Sequence, residues 1–159
     1  MALLKKPDPA SDSITIRRAE VDDIQAMWEI DRECFEPGVA YSIDIFYYYL
    51  LIDREPAFAA LDGGKLAGFV LTSKTEQTAG QIITIDILPK WRRAGIGSKL
   101  MAVSEEALVQ RGATVINLQV AADNGAAIEF YKKLGYRKEN FIKNYYGNGK
   151  DAYLFIKKT

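Results

Sequence analysis

Histidine is absent from the 159 residues, and cysteine occurs once, at Cys34. These two scarcities exclude Ser-His-Asp and Cys-His nucleophilic sites, histidine-ligated metals, multi-cysteine zinc sites and an internal disulfide, so no metal is expected. Long apolar runs are also lacking. The longest, residues 45–52, is far shorter than the roughly 20 residues that span a bilayer, and no membrane partner is expected. Neither charge sign dominates, with 21 Lys and Arg against 21 Asp and Glu, so nothing global favours DNA or RNA. The first residues hold two lysines, then Pro7, Asp8, Pro9 and Ser11, with no apolar core of a signal peptide; residues 1–12 read as a flexible leader. A reducing compartment, the cytoplasm, is the expected location. What is present is ordinary: 48% hydrophobic and 26% charged residues, the composition of one globular domain over 13–159.

Periodicity gives the order of elements. Residues 13–18 (SITIRR) alternate as a strand, and residues 20–35 carry a helical stripe through Ile24, Met27, Trp28 and Phe35. After Pro37-Gly38, residues 43–52 read as a second, very aromatic helix. Residues 57–61 and 66–73 flank Asp62-Gly63-Gly64-Lys65, a hairpin signal. Residues 82–88 (IITIDIL) are apolar at nearly every position, which predicts a central strand covered on both faces and ended by Pro89. A helix then runs through Leu100, Val103 and Leu108 to a C′ glycine at Gly112. Residues 115–120 form a strand with one apolar face, a helix spans about 124–134, and residues 136–143 and 152–157 close the chain as two strands. The order βααβββαβαββ predicts a mixed, mostly antiparallel α/β sheet of about seven strands. Its one parallel pair arises from the strand, helix, strand run over 82–120, and about four helices accompany it.

Two segments carry chemistry. Arg92-Arg93-Ala94-Gly95-Ile96-Gly97 lies between the buried strand and a helix start, where free N–H groups and the positive end of the helix dipole can hold a pyrophosphate. A dinucleotide fingerprint would need glycine or alanine where Leu100 stands, and a nucleotide P-loop would need the order that Gly97-Ser98-Lys99 reverses. On their own the glycines also describe a tight basic turn. The second segment runs from Asn124 through Ala127, Phe130 and Tyr131 to Gly135; by itself it reads equally as an N-cap, a core stripe and a C-cap.

Together the segments resemble the GNAT superfamily of acyl-CoA-dependent N-acyltransferases, over residues 14–157. Arg92, Gly95 and Gly97 match its Gln/Arg-x-x-Gly-x-Gly/Ala loop; Asn124, Ala127, Phe130 and Tyr131 match its Asn-x-x-Ala-x-x-Phe-Tyr segment. The resemblance implies acetyl-CoA as cosubstrate. Its pantetheine arm would pair with the backbone of Ile85 and Ile87 in a slot between splayed parallel strands. Arg92, Arg93, Ala94, Gly95, Ile96, Gly97 and Ser98 would cradle the pyrophosphate, with Asn124 on the cofactor and Tyr131 near its sulfur.

Residues 34–41 (CFEPGVAY) and 144–152 (NYYGNGKDA) are similar to the RimI-like and related protein N-terminal α-amine acetyltransferases. In that group these loops pinch a protein or peptide N-terminus, a ribosomal protein or nascent chain among the candidates. Phe35, Tyr41, Tyr145 and Tyr146 would then line the slot of a monomer or homodimer, although loop tyrosines also cover core edges without binding anything.

The implied chemistry is direct attack by a neutral amine, with Tyr131 protonating the leaving thiolate; at a reference pKa near 10 it keeps its proton until a thiolate appears. Cys34, on an apolar helix face, reads as packing rather than as an acyl carrier. The base departs from the family. Where relatives carry glutamate or histidine this chain has Gln119, and at a second position Gln81, and neither amide takes a proton near neutral pH. Gln119 is expected to orient a water or the amine, with Asp86 and Glu36 as weaker candidates for a base reached through water. Rival readings are an acetyltransferase for a lysine or small amine, and an acyl-CoA-binding module without turnover.

Overall fold

The computed structural model describes residues 13–159; the leader expected over residues 1–12 lies outside the described residues. Seven strands form one sheet in the order β1-β2-β3-β4-β5-β7-β6: β1 (Ile14–Arg18), β2 (Ala57–Asp62), β3 (Lys65–Lys74), β4 (Ala79–Ile87), β5 (Val115–Ala121), β6 (Arg137–Gly147) and β7 (Lys150–Lys158). Every neighbouring pair is antiparallel except β4 and β5, as the single strand, helix, strand crossover requires.

Helices cover both faces. On one side α1 (Ile24–Cys34) and α2 (Ile43–Tyr47) bury Ile24, Met27 and Phe46 against Phe69 and Leu71 of β3. On the other, α3 (Ile96–Gln110) and α4 (Gly125–Lys133) pack Leu100, Met101, Leu108 and Tyr131 against Ile82, Ile116, Leu118 and Phe155. The second aromatic helix departs from the expected single α-helix over 43–52. Its backbone widens to a π-helix at Tyr48–Asp53, which ends at Arg54 in the left-handed region (φ 52°).

Two features of β4 prepare the site. Its parallel pairing to β5 covers three rungs, Ala79 with Val115, Gly80 with Ile116 and Gln81 with Asn117, and beyond them the strands diverge. Against β3, Leu71 faces Thr84 while Thr72 faces Ile82, so Ile83 is an extra residue, a β-bulge. A bulge reverses which side alternate residues face. Ile82, Ile85 and Ile87 therefore all pack on the α3 side, and Thr84 and Asp86 turn toward α1. The strand starts at Ala79 rather than at residue 82, since Gly80 and Gln81, which interrupt the apolar run, carry the parallel rungs. The closing strands are also longer than expected: β6 reaches Gly147 and β7 begins at Lys150, with residues 143–146 bulging out of the ladder after Asn144 adopts φ 55°.

Candidate active site

The divergence of β4 and β5 opens a cleft of about 1090 Å³. Its walls are the free edges of the two strands. Because the Leu88 N–H donates to Ala67 O, the alternate residues Ile85 and Ile87 direct their main-chain groups away from β3 and into the opening. The Ile87 carbonyl already accepts from Arg92 Nε at 2.8 Å and, weakly, from Cys34 Sγ at 3.5 Å. The Arg92 side chain thus folds back over the end of β4 and stands 3.6 Å from the Cys34 sulfur.

At one end of the cleft lies the glycine loop. Trp91 anchors it, buried in the α3-side core with its indole N–H donating to Asp62 at 2.9 Å. Arg93 and Gly95 then take positive φ (63° and 79°), and Gly95 is the N-cap of α3. The first-turn amides of Ile96, Gly97 and Ser98 have no partner within the helix, and the dipole of a four-turn helix adds positive potential there. A side chain at Gly97 would come within 3.2 Å of the Phe130 ring, so α3 and α4 approach closely only because that position has none. Asn124 caps α4 by accepting the Ala127 N–H at 3.2 Å, and both line the same cleft. Basic side chains, left-handed backbone and unpaired amides form a setting suited to a diphosphate.

At the other end the lining is aromatic and acidic. Phe35, Glu36 and Tyr41 come from the loop between α1 and α2; Tyr146 and Lys150 come from the β6–β7 hairpin, and a Glu36–Lys150 ion pair joins the two loops. Tyr41 is fixed twice, its N–H donating to Asp31 at 2.6 Å and its hydroxyl to Ile83 O at 3.4 Å. Burial pushes the Tyr146 hydroxyl up to about 12 and that of Tyr41 higher still. Tyr145 stands outside the lining, edge-on to the Tyr146 ring at 4.8 Å, and Ala94 is likewise not brought to the cleft.

Between the ends lie Tyr131 and Gln119. Tyr131 is 8% exposed, wedged against Phe130 and Tyr136, and burial, with a smaller effect of Asp86, raises its hydroxyl well above the ordinary tyrosine value. Gln119 accepts from Gln81 Nε2 at 2.8 Å, a side-chain bridge across the gap one rung beyond the last backbone pairing. With its carbonyl occupied, Gln119 offers the cleft an NH₂ donor. The Cys34 thiol, pushed up to about 11 first by burial and next by Asp86, stays protonated at neutral pH and is a poor acyl acceptor.

Sequence reading did not single out Asp31, which lies buried beside Asp86 under this end of the cleft. The signal was available: a carboxylate one turn past Met27 and Trp28 on the apolar stripe of α1, and another inside an isoleucine-rich strand.

A strand-splayed cleft with an anion-receptive helix start defines a class, and the chain belongs to it: residues 24–136 match the acetyltransferase (GNAT) family. The protein is an acyl-CoA-dependent N-acetyltransferase. It is 30% identical to an N-alpha-acetyltransferase of Sulfurisphaera tokodaii, over 87% of this chain and 89% of that one. It is 32% identical to the N-terminal acetyltransferase A complex catalytic subunit NAA10 of Arabidopsis thaliana, over 88% of this chain and 75% of that one. Its fold is similar to the crystal structure of Ard1 from Thermoplasma volcanium, with a TM-score of 0.87 and 26% identity over 92% of this chain and 98% of that one. Among the described residues no helix is long and apolar enough to cross a membrane.

Proposed function

We propose that the protein transfers the acetyl group of acetyl-CoA to the α-amine of a protein or peptide N-terminus. The observation that carries the reading is the two-ended cleft: an anion-receptive main-chain loop at one end, a tyrosine-lined slot at the other, and a buried tyrosine between them. The relatives named for α-amine acetylation support it.

Residues 92–98 hold the diphosphate, the open edge at Ile85 and Ile87 receives the amide-bearing arm, and Asn124 flanks it. Phe35, Tyr41 and Tyr146 hold the incoming chain end, with Tyr145 buttressing Tyr146. Tyr131 gives its proton to the thiolate as the carbon–sulfur bond breaks. Gln119, through its NH₂ group, orients a water beside the amine.

Amine chemistry favours the same substrate. An α-amine of pKa about 7.7–8.0 is roughly 10–20% neutral at pH 7, whereas a lysine amine near 10.4 is under about 0.1% neutral. A cleft that offers amides at the usual base positions selects the amine that sheds its proton more readily.

The test is thiol release from acetyl-CoA over short peptides varied in their first two residues, each with a free and a blocked N-terminus, beside lysine and spermidine. Turnover confined to free N-termini is expected; turnover of lysine or spermidine in preference to every peptide would overturn the reading. Ribosomal proteins and nascent chains are the physiological substrates to examine next.

A further inference from the structure

Beneath the slot two carboxyls are packed together out of solvent, Asp31 of α1 at 0% exposure and Asp86 of β4 at 1%. Each has one oxygen satisfied by the fold: Asp31 Oδ2 accepts the Tyr41 N–H at 2.6 Å and Asp86 Oδ1 accepts the Thr84 hydroxyl at 2.6 Å. Asp31 Oδ1 and Asp86 Oδ2 have no donor from the described residues. The two side chains are within hydrogen-bonding reach of one another. Two carboxylates can bond only around a proton, and two adjacent anions in a dry interior cannot both stay ionised. One proton between them satisfies both orphan oxygens and leaves a single negative charge. Asp86 also lines the cleft.

We propose that the Asp31–Asp86 pair is the proton acceptor of the reaction, with Asp86 taking the proton of the substrate ammonium and Asp31 positioning it by sharing the proton already there. The proposal rests on the α-amine reading of the cleft. The alternatives within the site are weaker bases. Gln81 and Gln119 are bound to each other, Glu36 is mostly exposed and paired with Lys150, and Asp151 accepts the Asn144 N–H at the hairpin. A carboxylate in water, near 4, hardly competes for the proton of an amine near 8, whereas burial and the neighbouring Asp31 raise Asp86 far toward it.

The steps balance. Asp86 removes one proton from the ammonium, and the freed nitrogen lone pair forms the bond to the thioester carbon. The carbon–sulfur bond breaks with its electron pair going to sulfur, which takes the Tyr131 proton. The surplus proton on the new amide nitrogen restores Tyr131, and the pair, now fully protonated, releases one proton to water. The coupling to Tyr131 runs the right way: the negative charge of Asp86 helps to hold the Tyr131 proton, so neutralising that charge makes Tyr131 a better acid just as the thiolate forms. The groups facing the pair are Cys34 on α1, Tyr41 on the following loop, Thr84 on β4, Arg92 after it and Tyr131 on α4.

The experiment compares wild type with D86N and D31N, using a peptide that wild type acetylates, between about pH 5 and pH 9. D86N should lower kcat about 10²-fold, leave acetyl-CoA binding by calorimetry unaltered and abolish the acid limb of the kcat profile. In D31N, Asp86 no longer shares a proton and titrates lower, so the acid limb should move to lower pH. Wild-type kcat and profile in D86N overturn the proposal. A fall in kcat with the profile unmoved overturns it too, in favour of a structural role. Should D86N fail to fold, D31N carries the kinetic test alone. Infrared spectra at neutral pH, without substrate, should show a protonated carboxyl in wild type that D31N lacks. Its absence from wild type overturns the pair, whatever amine the enzyme acetylates, whereas its presence without peptide turnover overturns only the α-amine reading.

Discussion

At the α3 end of the cleft the receptive groups are main-chain amides, aimed by two left-handed residues and one helix start. At the α1 end they are side chains gathered from α1, its following loop, β4 and the β6–β7 hairpin. The first arrangement is local, completed within seven consecutive residues, and it serves a ligand of fixed chemistry. The second is assembled over more than a hundred positions of sequence separation, and each contributor can change alone. A fold can therefore keep its donor end constant while its acceptor end is rewritten.

The comparison is broken most severely by Tyr131, which stands between the ends. Y131F should lower kcat about 10²-fold with acetyl-CoA affinity unchanged, measured by steady-state kinetics and calorimetry. At the donor end, G97V would drive a side chain into the Phe130 ring and should raise the acetyl-CoA Kd about tenfold, or about 1.4 kcal/mol, with kcat at saturation within about twofold of wild type. At the acceptor end, Y146A should raise the peptide KM about fivefold, the order of a lost aromatic contact, and leave the acetyl-CoA Kd alone; Y145A should do less.

The smallest effect is on stability. The folded-state pKa of Asp86 is raised, so its contribution to stability is fully present below the unfolded carboxylate value near 4 and is lost as pH rises through the folded value. D86N should consequently melt at a temperature closer to wild type in acid and above it, by about 3 °C, at alkaline pH. A constant difference across the range would show that the carboxyl does not titrate on unfolding.

The difference between the ends also explains what sequence could reveal. Strand order, the crossover and the glycine loop follow from periodicity, capping and positive-φ glycine, all local signals, and the structure agrees with them in order and place. Boundaries moved where local signals misled: Gly80 and Gln81 look like a break yet carry the parallel rungs, and Asn144 looks like a loop yet sits in a bulged strand. The carboxyl pair stayed hidden because α1 and β4 are 55 residues apart at Asp31 and Asp86, and only the bulge at Ile83 turns Asp86 toward α1. Had the alternation run unbroken, Asp86 would share the side of Ile82, Leu100 and Met101.

The three rungs between β4 and β5 have a mechanical consequence. They make the sheet a wedge, four strands on one side and three on the other, hinged at Ala79–Gln81 and braced on one face by the α3-side core. Whatever fills the mouth of the wedge ties its jaws together, so occupancy should register at the hinge as well as at the mouth. Cosubstrate at a hundred times its Kd adds about 2.7 kcal/mol of stability. Amide exchange should slow on both jaws at once, at Ile85 and Ile87 and across the gap at Leu118 and Val120.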